Sequence, residues 1–158
     1  MDASGAARMV DVSGKDITAR EAVASGRFDT TRQVIELLNV GGLPKGDALA
    51  VARIAGIAAA KRAPDLIPLC HPVALHGVTV DLELTDSSVL ITATVRTADR
   101  TGVEMEALTS VATAGLALYD MVKAVDRGAV LREIRLVRKS GGRRGEWVRP
   151  TEREATDE

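Results

Sequence analysis

Residues 78–95, VTVDLELTDSSVLITATV, alternate apolar and polar side chains twice over. Val78, Val80, Leu82 and Leu84 fall on one side of an extended chain, and Thr79, Asp81, Glu83 and Thr85 fall on the other. Asp86-Ser87-Ser88 interrupts the pattern with turn-forming side chains, and Val89, Ile91, Ala93 and Val95 resume it. A period of two belongs to strands. Two such strands joined by a short polar turn predict an antiparallel hairpin with one buried face.

Working outward toward the N-terminus, Arg20 to Phe28 reads as a weaker strand and Met9 to Ser13 (MVDVS) as a short one. Thr30 with Gln33 has capping-box spacing and predicts a short helix to about Asn39, closed by Gly41-Gly42. Asp47 is a good N-cap for a second helix over 48–62, ALAVARIAGIAAAKR, whose scarcity of charge predicts burial on most sides. Pro64, Pro68 and Pro72 then predict an ordered, extended connector with no helix. Toward the C-terminus, Thr101 and Glu104 form a second capping box for a long helix to about Arg127, with Gly128 at its C′ position. Val130 to Lys139 is a last strand of imperfect alternation.

The resulting order, βαββαβ, is that of a ferredoxin-like α+β sandwich, an antiparallel sheet with its helices on one face. The expected organisation is a flexible N-terminus at 1–8, a single domain over 9–142 and a disordered tail at 143–158. Fold alone does not decide activity.

Composition removes several classes of function. The 158 residues are 46% hydrophobic and 27% charged, with net charge −1. That balance offers no bulk attraction to nucleic acid or an anionic membrane. Aromatic residues make up 2% of the chain, which leaves little for base stacking and requires a core of Ala, Val, Leu and Ile. Such side chains each bury little area, so a partner subunit is expected to add stability. The single cysteine, Cys70, rules out an internal disulfide and fits a reducing compartment. Neither a secretory leader nor a membrane span is expected, and the chain is read as cytoplasmic.

Four clusters can carry chemistry. His71 sits among prolines in LIPLCHP, a stiffened setting for a donor or acid–base group, although a lone His is more often structural. Cys70 and His71 are adjacent, without a second cysteine and with only His76 besides, so no metal site is expected. Glu104 and Glu106, in GVEME, open the long helix; Glu104 has a capping role to explain it, and Glu106 does not. Asp120 and Lys123 are three apart on the same helix and surrounded by apolar residues, a costly setting for a mere ion pair. Lys45 beside Gly46, Lys61 beside Arg62, and Lys139 before Ser140-Gly141-Gly142 are cations placed where phosphate could be held, although solvated lysines are the commoner explanation.

One deduction joins two of these clusters. Glu106 and Asp120 lie 14 positions apart on one helix, which at 1.5 Å per residue is roughly 21 Å. Catalytic groups must come within about 3 Å of the atoms they serve. If both belong to one site, two subunits must share it, with their long helices antiparallel. The nearly charge-free Ala107–Tyr119 surface suits such an interface.

KGDALAVARIAGIAAAKR, DLIPLCHP, TGVEMEALTSVATAGLALYDMVKA and RKSGG, with MVDVS before them, resemble the signature segments of the cyclic pyranopterin monophosphate synthase family across about Met9 to Gly142. Gly115 and Leu118 depart from the usual residues, and the chain after about Glu146 matches nothing. The resemblance implies a lyase of molybdenum-cofactor biosynthesis with a ferredoxin-like fold, working as a homohexamer built as a trimer of dimers, with its site at the dimer interface. The implied substrate is 3′,8-cyclo-7,8-dihydro-GTP, converted to cyclic pyranopterin monophosphate with release of pyrophosphate. The family's catalytic positions fall here on Asp120, Lys123, His71, Glu104 and Glu106, and its substrate-binding positions on Lys45, Lys61, Leu69, Cys70, His71, Met105, Glu106 and Lys139. No cofactor is implied with certainty; a Mg²⁺ riding on the substrate phosphates is compatible with the chemistry. The alternative is a non-catalytic nucleotide- or pterin-binding module of the same fold.

Overall fold

The structure, a computed structural model, describes residues 5–150. The hairpin is present and longer at both ends than its alternation indicated: β2 runs Leu75–Leu84 and β3 Ser88–Asp99. β1, Thr18–Asp29, pairs antiparallel with β3 on one side and on the other with β4, Val130–Ser140. The sheet order is β2-β3-β1-β4-β5, all antiparallel. Helices α2 (Ala48–Ala60) and α4 (Glu104–Val122) cover one face, with α1 (Arg32–Val40) at its end. This is the expected ferredoxin-like α+β arrangement.

Alternate residues of β1 and β3 enter the core, including Ala22, Ala24 and Phe28 from one and Val89, Ile91 and Val95 from the other. Val111, Leu118 and Val122 of α4 meet them. With so few aromatics, close approach of backbones replaces side-chain bulk. A Cβ on Gly56 of α2 would lie 3.1 Å from the carbonyl oxygen and Oγ of Ser110 on α4 and from Val80 of β2. Any larger residue would require these neighbours to give by a few tenths of an ångström.

Several local expectations are corrected. Met9–Ser13 forms no strand; its carbonyls have no neighbouring strand to pair with, and that of Val10 goes to His71. The first cap is Thr31, whose side chain accepts from Val34 N, because the Thr30 hydroxyl donates to Asp126 instead. The prolines do not abolish helix: α3 (Ala63–Leu66) carries Pro64 in its first turn, where a missing N–H costs nothing. Thr101 caps nothing; α4 starts from Val103 without a side-chain cap, and Glu104 is held by Lys139.

α4 also stops at Val122 rather than near Arg127. Its last carbonyl accepts from both Val125 N and Asp126 N, and Asp126 then accepts from Gly128 N in a turn. The imperfect alternation of β4 reflects register shifts opposite Val23–Arg27, with Glu133 at φ 56°. The stretch after Gly142, expected as disordered tail, adds the two-residue strand β5 (Trp147–Val148) against β4. Residues 1–4 and 151–158 lie outside the described residues.

The two outer surfaces differ. The far side of the sheet is charged, with Glu21 between Arg96 and Arg138 and Asp29 between Arg27 and Arg132. The outer side of the helices is apolar: Val51, Ile54, Leu116 and Tyr119 remain 43%, 67%, 63% and 37% exposed. Among the described residues no helix is long and apolar enough to cross a membrane.

Candidate functional site

α4 carries a cluster of charged groups at each end. At its C-terminal end, Asp120 Oδ1 lies 2.7 Å from Lys123 Nζ, one turn on. Asp120 Oδ2 lies 2.6 Å from Lys45 Nζ, delivered by the loop between α1 and α2. All three side chains face solvent in the single chain, so the buried stripe expected around Asp120 and Lys123 is not found there. Hydrogen bonds first from Lys123 and then from Lys45 hold the Asp120 carboxyl down to about 2. Asp120 in turn raises Lys123 above the ordinary lysine range.

At the N-terminal end, Glu104 and Glu106 point different ways. Glu104 turns to the sheet, where Lys139 Nζ at the end of β4 donates to its Oε1 at 2.9 Å. Glu106 is buried, 2% exposed, and the Cys70 thiol donates to its Oε1 at 3.5 Å. Burial raises the Glu106 carboxyl, against smaller opposing contributions from its own backbone N–H and from Cys70. Burial, with the Glu106 charge second, pushes the Cys70 thiol up to about 11. Cys70 is therefore a protonated hydrogen-bond donor at neutral pH and not a nucleophile. His71, next in sequence, places Nε2 2.7 Å from the Val10 carbonyl oxygen. Leu69 and Met105 remain partly exposed beside this group in sequence.

The structure thus gathers Lys45, Asp120 and Lys123 in one place, and brings Glu104 to Lys139 and Glu106 to Cys70 in another. Lys61 joins neither: it is the exposed C-cap of α2, and among the described residues its side chain makes no hydrogen bond or ion pair. The residues of β1 and of the turns beside it that complete the N-terminal cluster were not singled out from sequence. Lys15, Arg20, Arg143 and Arg144 line a cavity of about 670 Å³ together with Glu104 and Lys139. Arg20 sits at the start of β1 with the parity of Ala22 and Ala24, and an arginine on the core side of a strand was the available signal. Its Nε and Nη2 donate to the carbonyls of Asp99 and Arg100, 2.8 and 3.1 Å away, which fixes it at the cavity wall.

The Gly141-Gly142 turn closes the same cavity at φ 90° and 73°. A Cβ at Gly141 would collide with the Ala19 carbonyl, so only glycine allows the chain to leave β4 this way. Chemically, a cavity with five cations among its lining residues suits a polyanion. Carboxylates and lysines at the two helix ends suit proton transfer. Among the described residues no three of His, Cys, Asp and Glu gather where they could hold a metal ion.

Comparison with known proteins identifies the family. Residues 9–142 match the model of the MoaC family. The chain is 64% identical over 149 residues to the cyclic pyranopterin monophosphate synthase of Streptomyces coelicolor, covering 94% of this chain and 88% of the relative. It is 63% identical over 153 residues to that of Nocardioides sp. JS614, covering 95% and 94%. It is 61% identical over 148 residues to cyclic pyranopterin monophosphate synthase 2 of Mycobacterium tuberculosis H37Rv, covering 94% and 89%.

Proposed function

The chain belongs to the MoaC family, and from that premise we propose that it is a cyclic pyranopterin monophosphate synthase, a lyase of molybdenum-cofactor biosynthesis. It converts 3′,8-cyclo-7,8-dihydro-GTP to cyclic pyranopterin monophosphate and releases pyrophosphate. The observation that carries the reading is the placement of two lysine–carboxylate clusters at opposite ends of one helix, the N-terminal one opening on a basic cavity.

The reaction has two demands. Opening the purine-derived ring and rebuilding a pterin needs several proton transfers. Closing the cyclic phosphate breaks the bond from the α-phosphorus to its bridging oxygen, and the leaving pyrophosphate gains charge that nearby cations must stabilise. Asp120, Lys123 and Lys45 serve the first demand, with Glu104, Glu106 and His71 holding or protonating the rings. Lys61 and Lys139, with Arg20, serve the second. A Mg²⁺, where required, would enter on the phosphates.

The two clusters act together if the helices of two subunits lie antiparallel, so that each site takes Asp120 from one chain and Glu106 from its neighbour. The exposed Val51, Ile54, Leu116 and Tyr119 supply an apolar surface for that contact. A hexamer made of three such dimers, acting in the cytoplasm, completes the proposal. Incubation with the cyclised GTP derivative tests it: pyrophosphate and a fluorescent oxidised pterin are expected. Tight binding without either product would favour a non-catalytic binding module.

A further inference from the structure

We infer that the segment Met9–Lys15 is a positioning element for His71, held in place by Arg100, and that Nδ1 is the ring atom of His71 left to meet substrate. The first observation is the 2.7 Å contact between His71 Nε2 and the Val10 carbonyl oxygen. A carbonyl oxygen only accepts, so Nε2 carries a hydrogen whatever the charge of the ring. The neutral ring is then the Nε2–H tautomer, with its lone pair on Nδ1. Among the described residues Nδ1 has no hydrogen-bond partner.

The second observation is how the segment is held. It belongs to no strand. Ser13 N donates to Asp11 Oδ1 at 2.8 Å and Lys15 N to the Val12 carbonyl at 3.0 Å, which folds it into a turn. Among the described residues a bond from Arg100 Nε to the Lys15 carbonyl, 3.0 Å long, ties this turn to the end of β3. Arg100 in turn offers its own carbonyl to Arg20 Nη2. One short chain of contacts therefore runs from the basic cavity through Arg100 and the turn to the His71 ring. The third observation is room: Met9–Ser13, His71, Pro72 and Asp99–Thr101 wall a cavity of about 480 Å³, large enough for part of a ligand beside the ring.

The inference rests on the proposal that His71 works on the substrate, but its test does not. Heteronuclear NMR of the imidazole nitrogens in the full-length protein, at a pH where the ring is neutral, reads the tautomer directly; the His71 signals are those missing from His71→Gln. A single tautomer with hydrogen on Nε2 is expected. Arg100→Gln should mix the tautomers and lower kcat by about tenfold through loss of orientation; Arg100→Lys should restore both readouts. A bare Nε2 in the unaltered protein overturns the inference whatever the activity, as does an Arg100→Gln variant with unchanged tautomer and kcat. A chain that makes no product while His71 is held as described defeats the functional proposal and leaves this one standing.

Discussion

The Lys45 ammonium lies 2.6 Å from Asp120 Oδ2, joining the loop before α2 to the last turn of α4. Because Lys123 occupies the other oxygen, Asp120 has both oxygens engaged and is held down to about 2. A carboxylate so placed is a weak base until one lysine is drawn away, and an arriving anionic substrate is the agent able to draw it.

Since the folded pKa of Asp120 is depressed, its pairs stabilise the fold above the ordinary carboxylate range, and that contribution is lost as pH falls toward about 2. Carboxyl-carbon NMR should find Asp120 titrating near that value. Lys123→Met should move it back up toward the ordinary range, and Lys45→Met should do so to a smaller extent. An Asp120 that titrates like a free aspartate in the unaltered protein would contradict the pairing.

Glu106 has the opposite sign. Its folded pKa is raised, so the unfolded chain ionises first, and stability declines as pH rises from the ordinary glutamate value to the folded one. Glu106→Gln keeps the shape and can still accept from Cys70, but has no charge to bury. It should melt higher than the parent at neutral pH, by ~3 °C, with the gap closing as pH approaches the ordinary glutamate range. Its turnover should nevertheless fall. A variant that melts lower at every pH would mean that the Glu106 charge is compensated inside the fold.

The hairpin, the helical face and the strand order were legible because period and capping are local properties. The failures were also local, and two of them had a distant partner. Thr30 yielded its cap to a bond with Asp126, 96 positions away. Met9–Ser13 has strand-like alternation, but pairing needs a neighbour, and the neighbour offered was a histidine ring. In the candidate site, Asp120, Lys123 and Glu106 were singled out from charge in an apolar helix, yet only Glu106 is buried, and Asp120 and Lys123 face solvent. That Lys45 would reach Asp120, and that Arg20 would stand beside Lys139, follow only from how β1, β4 and the α1–α2 loop come together.

Shared sites make a prediction that no single-chain site makes. Asp120→Asn and Glu104→Gln should each reduce turnover by roughly 10²-fold or more, with melting temperatures close to the parent's. Refolded together in equal amounts, they should regain about a quarter of parental activity, because half of the random dimers are mixed and each has one intact site of two. Mixtures as inactive as their components would show that each chain works alone.

Phosphate contacts should separate from proton transfer in the kinetics. Lys61→Ala removes an exposed cation with nothing to release, so KM should rise by about tenfold with kcat largely kept. Lys139→Ala also frees Glu104 from its 2.9 Å partner, so both constants should change. Steady-state pyrophosphate release checks both; an unchanged KM for Lys61→Ala would remove that residue from the anion site.

The bare contact at Gly56 also bears on how this chain can evolve. With no side chain on Gly56, α2 and α4 pack closely, and Lys45 ahead of α2 stays within reach of Asp120 on α4. A methyl at that point would lie 3.1 Å from Ser110 and Val80, so these neighbours would have to give by a few tenths of an ångström. Change at this position is therefore coupled, through the seating of one helix on the other, to a charged contact at the far end of the pair.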